Sequence, residues 1–597
     1  MTIASLPPAL EAGIRQVDAL ADRTFAGWKV PGLVYGVTLG QELVHVRGLG
    51  TLRVGEDATP DGRSVFRIAS MTKSFTAATV LSLRDEGRLR LDDPAEQHVP
   101  ELASLRYPTT DSPRITIRHL LTMTAGFPTD DPWGDRQQGL DLGAFSRLLA
   151  GGLSFAWAPG TRFEYSNTGY GILGRLITNV AGREYREVVR ERMLAPLGMD
   201  DSGYLEEEAD PDRLARGYLW RDGAFVEEPM DPYGALAPMG GLFTTVEDLS
   251  RWVAGFVDAF PPRDDPEGAH PLSRASRREM QQAWVPEVVR LSHVSADAMP
   301  DVEGLHYGFG LFQLDDIRYG RTIGHSGGYP GFGSHMRWHP SSGLGVIAFA
   351  NHRYAPAAPL ARDMMNELVR LESAPVRRTR ANAATLAARD AVERLLADWD
   401  DDLAARTFAM NVELDEPVAL RKAAAARLVE RHGALHRDAD TPDESLTAYH
   451  LVWWLRGDRG RVRAEVLLSP ELPPKVQALN LTSVSEPPEE LRHAAARIAA
   501  ALDAPPSGRI AVEWPAGVEV SEQLDHAAVV RAMRATEARF APLTVGPVMD
   551  GDGARKATFR LTGPRGRVDL TLTLDSEGRR LEGVTLVPVK LAPPSLD

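Results

Sequence analysis

Strand-like runs stand at both ends of the first 372 residues, and that separation constrains the fold more than any other feature of the chain. An amphipathic pattern over Ala9 to Ala26 predicts a helix, and Pro31-Gly32 then turns the chain into an apolar strand, Leu33 to Leu39. Gly40-Gln41 reads as a two-residue hairpin turn into Glu42 to Gly48. The other strand patterns, Gly308 to Leu314, Thr322 to Ser326, His335 to His339 and Leu344 to Ala350, come only after a long middle, and a helix over Leu360 to Leu371 follows them. Between the two sets, Asp92 to Pro238 alternates short helical patterns with Pro- and Gly-containing loops. A chain ordered in this way predicts an α/β sandwich with an antiparallel sheet assembled from both ends of the sequence, beside a helical subdomain.

At 597 residues the chain has room for several domains and a large core. A net charge of −15 argues against nucleic acid and anionic membrane as partners. There is no cysteine, which removes disulfides, thiolate metal sites and thiol lipidation. Glu11 interrupts what would be the apolar core of an export signal, and no segment approaches a membrane span. The expectation is a cytoplasmic protein.

Beyond the linker Pro375-Val-Arg-Arg-Thr-Arg380 the composition shifts to Ala/Arg-rich helical patterns, Ala384 to Leu396 and Ala419 to Gly433, then strands near Leu446 to Leu455, Arg461 to Leu468 and Val476 to Val484. The pattern then recurs. Gly460-Arg461-Val462 matches Gly566-Arg567-Val568, with Val466 and Leu468 against Leu572 and Leu574, and Leu479 and Leu481 against Val584 and Leu586. Two copies are too few for a solenoid, so the tail reads as two related α+β modules, 373–485 and 486–597. Each weakly resembles the cystatin-like or NTF2-like shape.

The chemistry begins at Ser70-Met71-Thr72-Lys73. The chain has 6 lysines against 61 arginines, and one of the six stands three residues after a serine. Chance alone supplies such a spacing about 0.3 times in this composition. Arginine keeps its proton near neutral pH while a buried lysine can lose it, so a proton-accepting position tolerates Lys and excludes Arg. Phe75, Val80, Leu81 and Leu83 follow with helical spacing and Gly87 supplies a stop, which sets Ser70 at or just before the first turn of a helix. Further on, Tyr165-Ser166-Asn167 lies on a loop before a helical run, and His325-Ser326-Gly327-Gly328 lies on a strand.

Ser-x-x-Lys on a helix, Tyr-x-Asn on a loop and His-x-Gly on a strand form an ordered triplet that resembles the serine β-lactamase and penicillin-binding-protein superfamily. The likeness is to its class C-like branch, with class C β-lactamases, D-Ala-D-Ala carboxypeptidases, D-aminopeptidases and family VIII esterases. Arg118 to Phe127 and Met239 to Leu249 look like signature segments of that family. The resemblance covers roughly residues 10 to 370 and implies a β-lactamase-like serine hydrolase domain over 1–372.

It further implies that Ser70 is the nucleophile and that Lys73 and Tyr165 move its proton, Tyr165 as a phenolate favoured by Lys73 and His325. Asn167 is then expected to hold the substrate and orient Lys73, and Ser70 and Gly328 to supply an oxyanion hole. Gly327 is expected to leave room for the acyl group. The family usually carries Lys or His, then Thr, then Gly at the third motif, and here His325-Ser326-Gly327 lacks a fixed cation. The implied activity is therefore hydrolysis of small esters, amides or D-amino-acid peptides through an acyl-serine, with weak or no β-lactamase activity and no cofactor. The alternative is a non-catalytic penicillin-binding-like scaffold or assembly protein that uses the tail modules for interaction, and a homo-oligomer built through those modules is open on either reading.

Other candidates fare worse. His335 and His339 on a strand are about 13 Å apart, too far to share a metal ion, and no metal is expected. Gly328 to Gly333 matches no nucleotide loop. The runs Glu206 to Glu208 and Asp400 to Asp402 read as solvated surface. Trp133, Trp157 and Trp284 are read either as lining for an acyl pocket or as core, and the polar segment 261–303 is expected to overhang the site.

Overall fold

The computed structural model describes residues 6–292, 301–316, 318–371, 373–374, 380–502, 518–563 and 566–589. It divides into two compact units, Met1–Arg290 with Val302–Pro375, and Leu291–Asp301 with Val376–Asp597.

The first unit opens with α1 (Pro8–Gly27), β1 (Gly32–Leu39) and β2 (Glu42–Gly50). Pro8 sits in the first helical turn, where its missing N–H costs nothing, and Leu10, Ile14, Val17 and Ala21 form one buried face. The middle supplies α2 (Thr72–Asp85), α3 (Asn167–Ala181), α4 (Val246–Asp258) and α5 (Arg274–Met280). Then come β3 (Val285–Ser292), β4 (Asp301–Tyr307), β5 (Phe312–Asp316), β6 (Gly320–Tyr329), β7 (Phe332–His339), β8 (Leu344–Ala350) and α6 (Ala357–Arg370).

These strands form one sheet in the order β2-β1-β8-β7-β6-β5-β4-β3. The two ends of the sequence meet where β1 pairs antiparallel with β8, Leu33 opposite Ala350 and Leu39 opposite Leu344. Successive side chains of a strand point to opposite faces, so Leu33, Tyr35 and Val37 join Val346 and Ala348 beneath α1 and α6. Val34, Ile347 and Phe349 turn the other way, into the larger core that holds α2 and α4. There Phe75 of α2 stacks on Trp252 of α4 with ring centroids 4.0 Å apart. Twelve of the fourteen residues of α2, from Thr72 to Leu83, are buried.

The segment 261–303 is not loop throughout. It contains α5, which packs on α4 and α2, and β3, which extends the sheet; residues 293–300 lie outside the described residues. Gly308 to Gly310 are not strand, because β5 begins at Phe312.

In the second unit α7 (Ala383–Ala397) and α8 (Val418–His432) accompany a sheet of β9 (His436–Arg437), β10 (His450–Gly457), β11 (Gly460–Leu468) and β12 (Val476–Val484). The arrangement then repeats, with α9 (Glu489–Ala501), α10 (His526–Phe540) and a second sheet of β13 (Thr544–Gly551), β14 (Lys556–Gly563), β15 (Gly566–Leu574) and β16 (Leu581–Pro588). Each sheet has its own apolar core. Gly460 and Gly566 open equivalent strands with φ of 139° and 132°, values an L side chain resists. The register slips at Leu467/Leu468 in one sheet and at Thr573/Leu574 in the other, matching places in the two copies. Residues 375–379 of the linker lie outside the described residues.

Among the described residues no helix is long and apolar enough to cross a membrane, and no group of three or more His, Cys, Asp or Glu is arranged to hold a metal ion.

Candidate active site

Ser70 lies on a single 3₁₀ turn, Ala69–Met71, that runs directly into α2. Main-chain and hydroxyl contacts hold the turn: Ile68 N–H donates to Leu242 O at 3.0 Å, and the Thr72 hydroxyl donates to Ala69 O at 2.6 Å while accepting from Leu242 N–H at 3.1 Å. Ala69 takes a left-handed φ of 49°. Such a conformation costs about 1–3 kcal/mol and persists only where the surroundings impose it. Met123 and Tyr354, two of the other three described non-glycine residues at positive φ, also belong to this site.

One helical turn on, Lys73 is fully buried. Its Nζ donates to Ser70 Oγ at 2.9 Å, to Asn167 Oδ1 at 2.7 Å and to Met239 O at 2.8 Å. Burial pushes its pKa down to about 8, against the opposing pull of Asp131, Asp135 and Asp130.

Asn167 opens α3. Asp130 accepts from its backbone N–H at 2.6 Å and from the N–H and hydroxyl of Thr168, a carboxylate placed where the helix dipole favours it. The two ends of the Asn167 amide are assigned by their partners, Oδ1 to Lys73 and Nδ2 to Asp131 Oδ1 at 2.7 Å. The side chain is wholly buried, with its Oδ1 turned to the Lys73 amine.

Tyr165 is half-buried, with Lys73 Nζ 4.9 Å from its ring centroid and the His325 ring 6.3 Å away. Met123 shapes its loop, its carbonyl accepting from Glu164 N–H and its sulfur from Ser166 N–H. Burial, then Asp131, pushes the phenol well above its ordinary value, although the Ser70 hydroxyl pulls it down. The group at rest is a phenol, and the expected phenolate is not what this environment favours.

His325 lies on β6, buried among Tyr307 and Phe312. Its Nδ1–H donates to Ser326 O at 2.6 Å, which leaves Nε2 to accept from Tyr307 O–H at 3.4 Å. Burial, with Lys73 second, drives its pKa to about 3, so the imidazole is neutral.

Gly327 serves a different purpose from the one expected. A Cβ there would lie 2.1 Å from Ile68 O and 2.3 Å from Ser334 Oγ. The missing side chain makes room for the backbone that leads into Ser70, not for an acyl group. At Gly328 a Cβ would meet the Tyr354 ring at 2.8 Å. The pairing of β6 with β5 ends at Gly324, so the strand beyond it has one edge free of that neighbour.

Ser70, Lys73, Tyr165, Asn167 and His325 thus converge on one locality, with Gly327 and Gly328 on the adjoining strand. Sequence reasoning missed Asp130, Asp131 and Asp135. The Asp135 carboxyl accepts from Tyr354 O–H at 2.7 Å and is pushed up to about 6 by burial. The acidic pair just past Phe127 was the signal available. Trp133, Trp157 and Trp284 are exposed rather than core; Trp157 Nε1–H donates to Glu164, and Trp284 stacks on Phe309 at 5.3 Å. His335 and His339 have separate partners, Arg337 and Ser342.

The Beta-lactamase family model matches residues 17–369. The chain is similar to the D-alanyl-D-alanine-carboxypeptidase/endopeptidase AmpH of Escherichia coli K12, 28% identical over 368 residues, which is 59% of this chain and 88% of AmpH. It is also similar to protein flp of Staphylococcus aureus MRSA252, 25% identical over 339 residues, 56% of this chain and 62% of flp. The solved octameric penicillin-binding protein homologue from Pyrococcus abyssi superposes with a TM-score of 0.50 at 19% identity, covering 97% of this chain and 98% of that one.

Proposed function

We propose that this chain, which belongs to the beta-lactamase family, hydrolyses small esters, amides or D-amino-acid peptides through an acyl-Ser70 intermediate. One observation carries the reading: the buried Lys73 amine is 2.9 Å from the Ser70 hydroxyl and has a pKa lowered to about 8. Roughly one lysine in ten is then neutral at pH 7. Two of its N–H groups are held by Asn167 Oδ1 and Met239 O, so the proton it loses is the one directed at Ser70, and the freed lone pair faces that hydroxyl.

Ser70 Oγ attacks the carbonyl carbon as its proton passes to Lys73. Tyr165, kept as a phenol, relays a proton to the leaving group when the carbon–heteroatom bond breaks. The N–H groups of Ser70 and Gly328 stabilise the oxyanion, each donor contributing about 3 kcal/mol in comparable sites. Water then takes the place of the alcohol or amine and releases the acid. The neutral His325 offers no fixed cation to a β-lactam carboxylate, which supports weak or no β-lactamase activity. The likeness to AmpH keeps D-amino-acid peptides in the substrate class.

The test is intact-protein mass spectrometry with a fluorophosphonate, a small ester panel, D-aminoacyl amides and a penicillin. An adduct on the wild type that is lost in Ser70→Ala is expected. No adduct with any reagent would sink the reading in favour of a non-catalytic scaffold.

Residues 373–485 and 486–597 are assigned as accessory modules that support self-association. The solved homologue from Pyrococcus abyssi is octameric, and Met410, Leu414 and Leu472 of this tail are 76%, 74% and 89% exposed. Light scattering at micromolar concentration is expected to return an oligomer; a monomer would overturn the assignment.

A further inference from the structure

The two tail modules are built alike, and each has an opening beside its core, about 500 Å³ in the first and about 480 Å³ in the second, but the two linings differ. Helices α8 and α10 each span 15 residues, and each ends against the glycine that opens an equivalent strand. A Cβ on Gly460 would meet His432 at 2.9 Å, and one on Gly566 would meet Phe540 at 3.3 Å. With the ends matched, Val529 and Met533 of α10 correspond to Arg421 and Ala425 of α8. Val529 and Met533 are buried in the second module's core, and α10 packs on β16. In the first module α8 packs instead on α7 and β10. Arg421 and Ala425, at the positions that carry Val529 and Met533 in the second module's core, line a cavity of about 500 Å³.

That volume lies within the range of small-molecule sites. The lining is apolar over most of its extent, with Leu395, Leu396, Phe408, Leu428, Leu479 and Leu481. Its charge is one-sided: three arginines, 421, 427 and 431, face one carboxylate, Glu416. The Arg421 side chain is only 17% exposed, and its Nε lies 3.4 Å from Glu416 Oε2. That Nε is buried and makes no hydrogen bond. Arg427 has no ion-pair partner among the described residues, while Arg431 donates to Ser485 Oγ at 2.9 Å. A guanidinium with open donors beside a greasy cavity is suited to a carboxylate on a hydrocarbon body.

We propose that this cavity binds an apolar monocarboxylate of the medium-chain fatty acid class, its chain among the leucines and its carboxylate on Arg421. The proposal stands independently of the chemistry at Ser70.

Isothermal titration of the full-length chain with decanoate, decanol and decylammonium tests it. Decanoate is expected to bind once per chain, at least tenfold more tightly than decanol, with decylammonium not binding. Arg421→Met is expected to weaken decanoate at least tenfold, and Ala425→Met, which puts the second module's residue at that position and fills the lining, to abolish binding with ester hydrolysis at Ser70 unchanged. Because a core substitution can fail to fold, a diazirine-bearing decanoate is cross-linked to the wild-type chain and mapped by peptide mass spectrometry. Adducts on α7 or α8 support the site. Adducts confined to peptides around Ser70, equal binding of decylammonium, or decanoate affinity untouched by both substitutions would overturn it.

Discussion

Lys73 in the first unit and Arg421 in the second are both cations drawn away from water, yet their surroundings are opposite in kind. Lys73 has an acceptor for each N–H, and aspartates stand beyond them. Arg421 has a single carboxylate neighbour and a hydrocarbon lining. The contrast separates two uses of buried charge. On the proposed mechanism, the group that must give up and regain a proton is a lysine, set among fixed acceptors that decide which proton leaves. A group that only has to hold its charge is an arginine, left with donors to spare.

The comparison breaks first at Ser70 and Lys73. Ser70→Ala is expected to lower kcat/KM for a p-nitrophenyl ester by about 10⁴-fold or more. Lys73→Arg, which preserves charge but not proton loss, is expected to lower it by about 10³-fold; a Lys73→Arg enzyme of near wild-type activity would show that the lysine is electrostatic only. Gly327→Ala drives a methyl onto Ile68 O and is expected to destabilise the first unit by about 3 kcal/mol, read as a lower denaturant midpoint.

Ala425→Leu is the converse change, adding volume where there is space. It is expected to stabilise the second unit by about 1 kcal/mol in the same denaturation experiment and to leave ester hydrolysis alone.

Smaller effects sharpen the contrast through pH. The ascending limb of kcat/KM should have its midpoint near pH 8, where Lys73 becomes neutral. The stability consequence has a definite sign. The folded pKa of Lys73 lies below its ordinary 10.5, so the unfolded chain binds more protons between these values. The cost of burying the charge is therefore fully present below pH 8 and is relieved as pH rises toward 10.5. Asp131→Asn keeps an acceptor for Asn167 but removes the largest charge favouring the ammonium. It is expected to move the limb down by about half a pH unit, measured on the same ester; an upward move would contradict the electrostatic account.

Much of this was legible in the sequence because it was written locally. The β1–β2 hairpin and α2 announce themselves by periodicity, turn residues and stops. The tail repeat was visible in Gly460-Arg461-Val462 and Gly566-Arg567-Val568, since a positive φ demands glycine in both copies. Ser70 and Lys73 sit on one helix, so their spacing alone brings them together.

What escaped depends on contacts across the chain. Asp131 matters through Asn167, and Gly327 through Ile68, pairs with no local pattern to expose them. The resting state of Tyr165 depends on how far its phenol is withdrawn from water, which no motif encodes. Strand β3 was missed because Pro286, Glu287 and Arg290 make it read as polar loop. The cavity has no signature in the sequence, since arginine and alanine on a helix draw no notice alone.

From Ser64 to Leu83 every residue is buried except Ser70. For inhibitor chemistry this makes the serine an aperture in an otherwise sealed stretch. An electrophile arriving there meets the Ser70 hydroxyl first, with the Lys73 amine 2.9 Å behind it as the segment's one other reactive group within reach. Discrimination between covalent reagents at this position will therefore be governed by the shape of the group that follows the warhead through the opening, more than by the warhead's intrinsic reactivity.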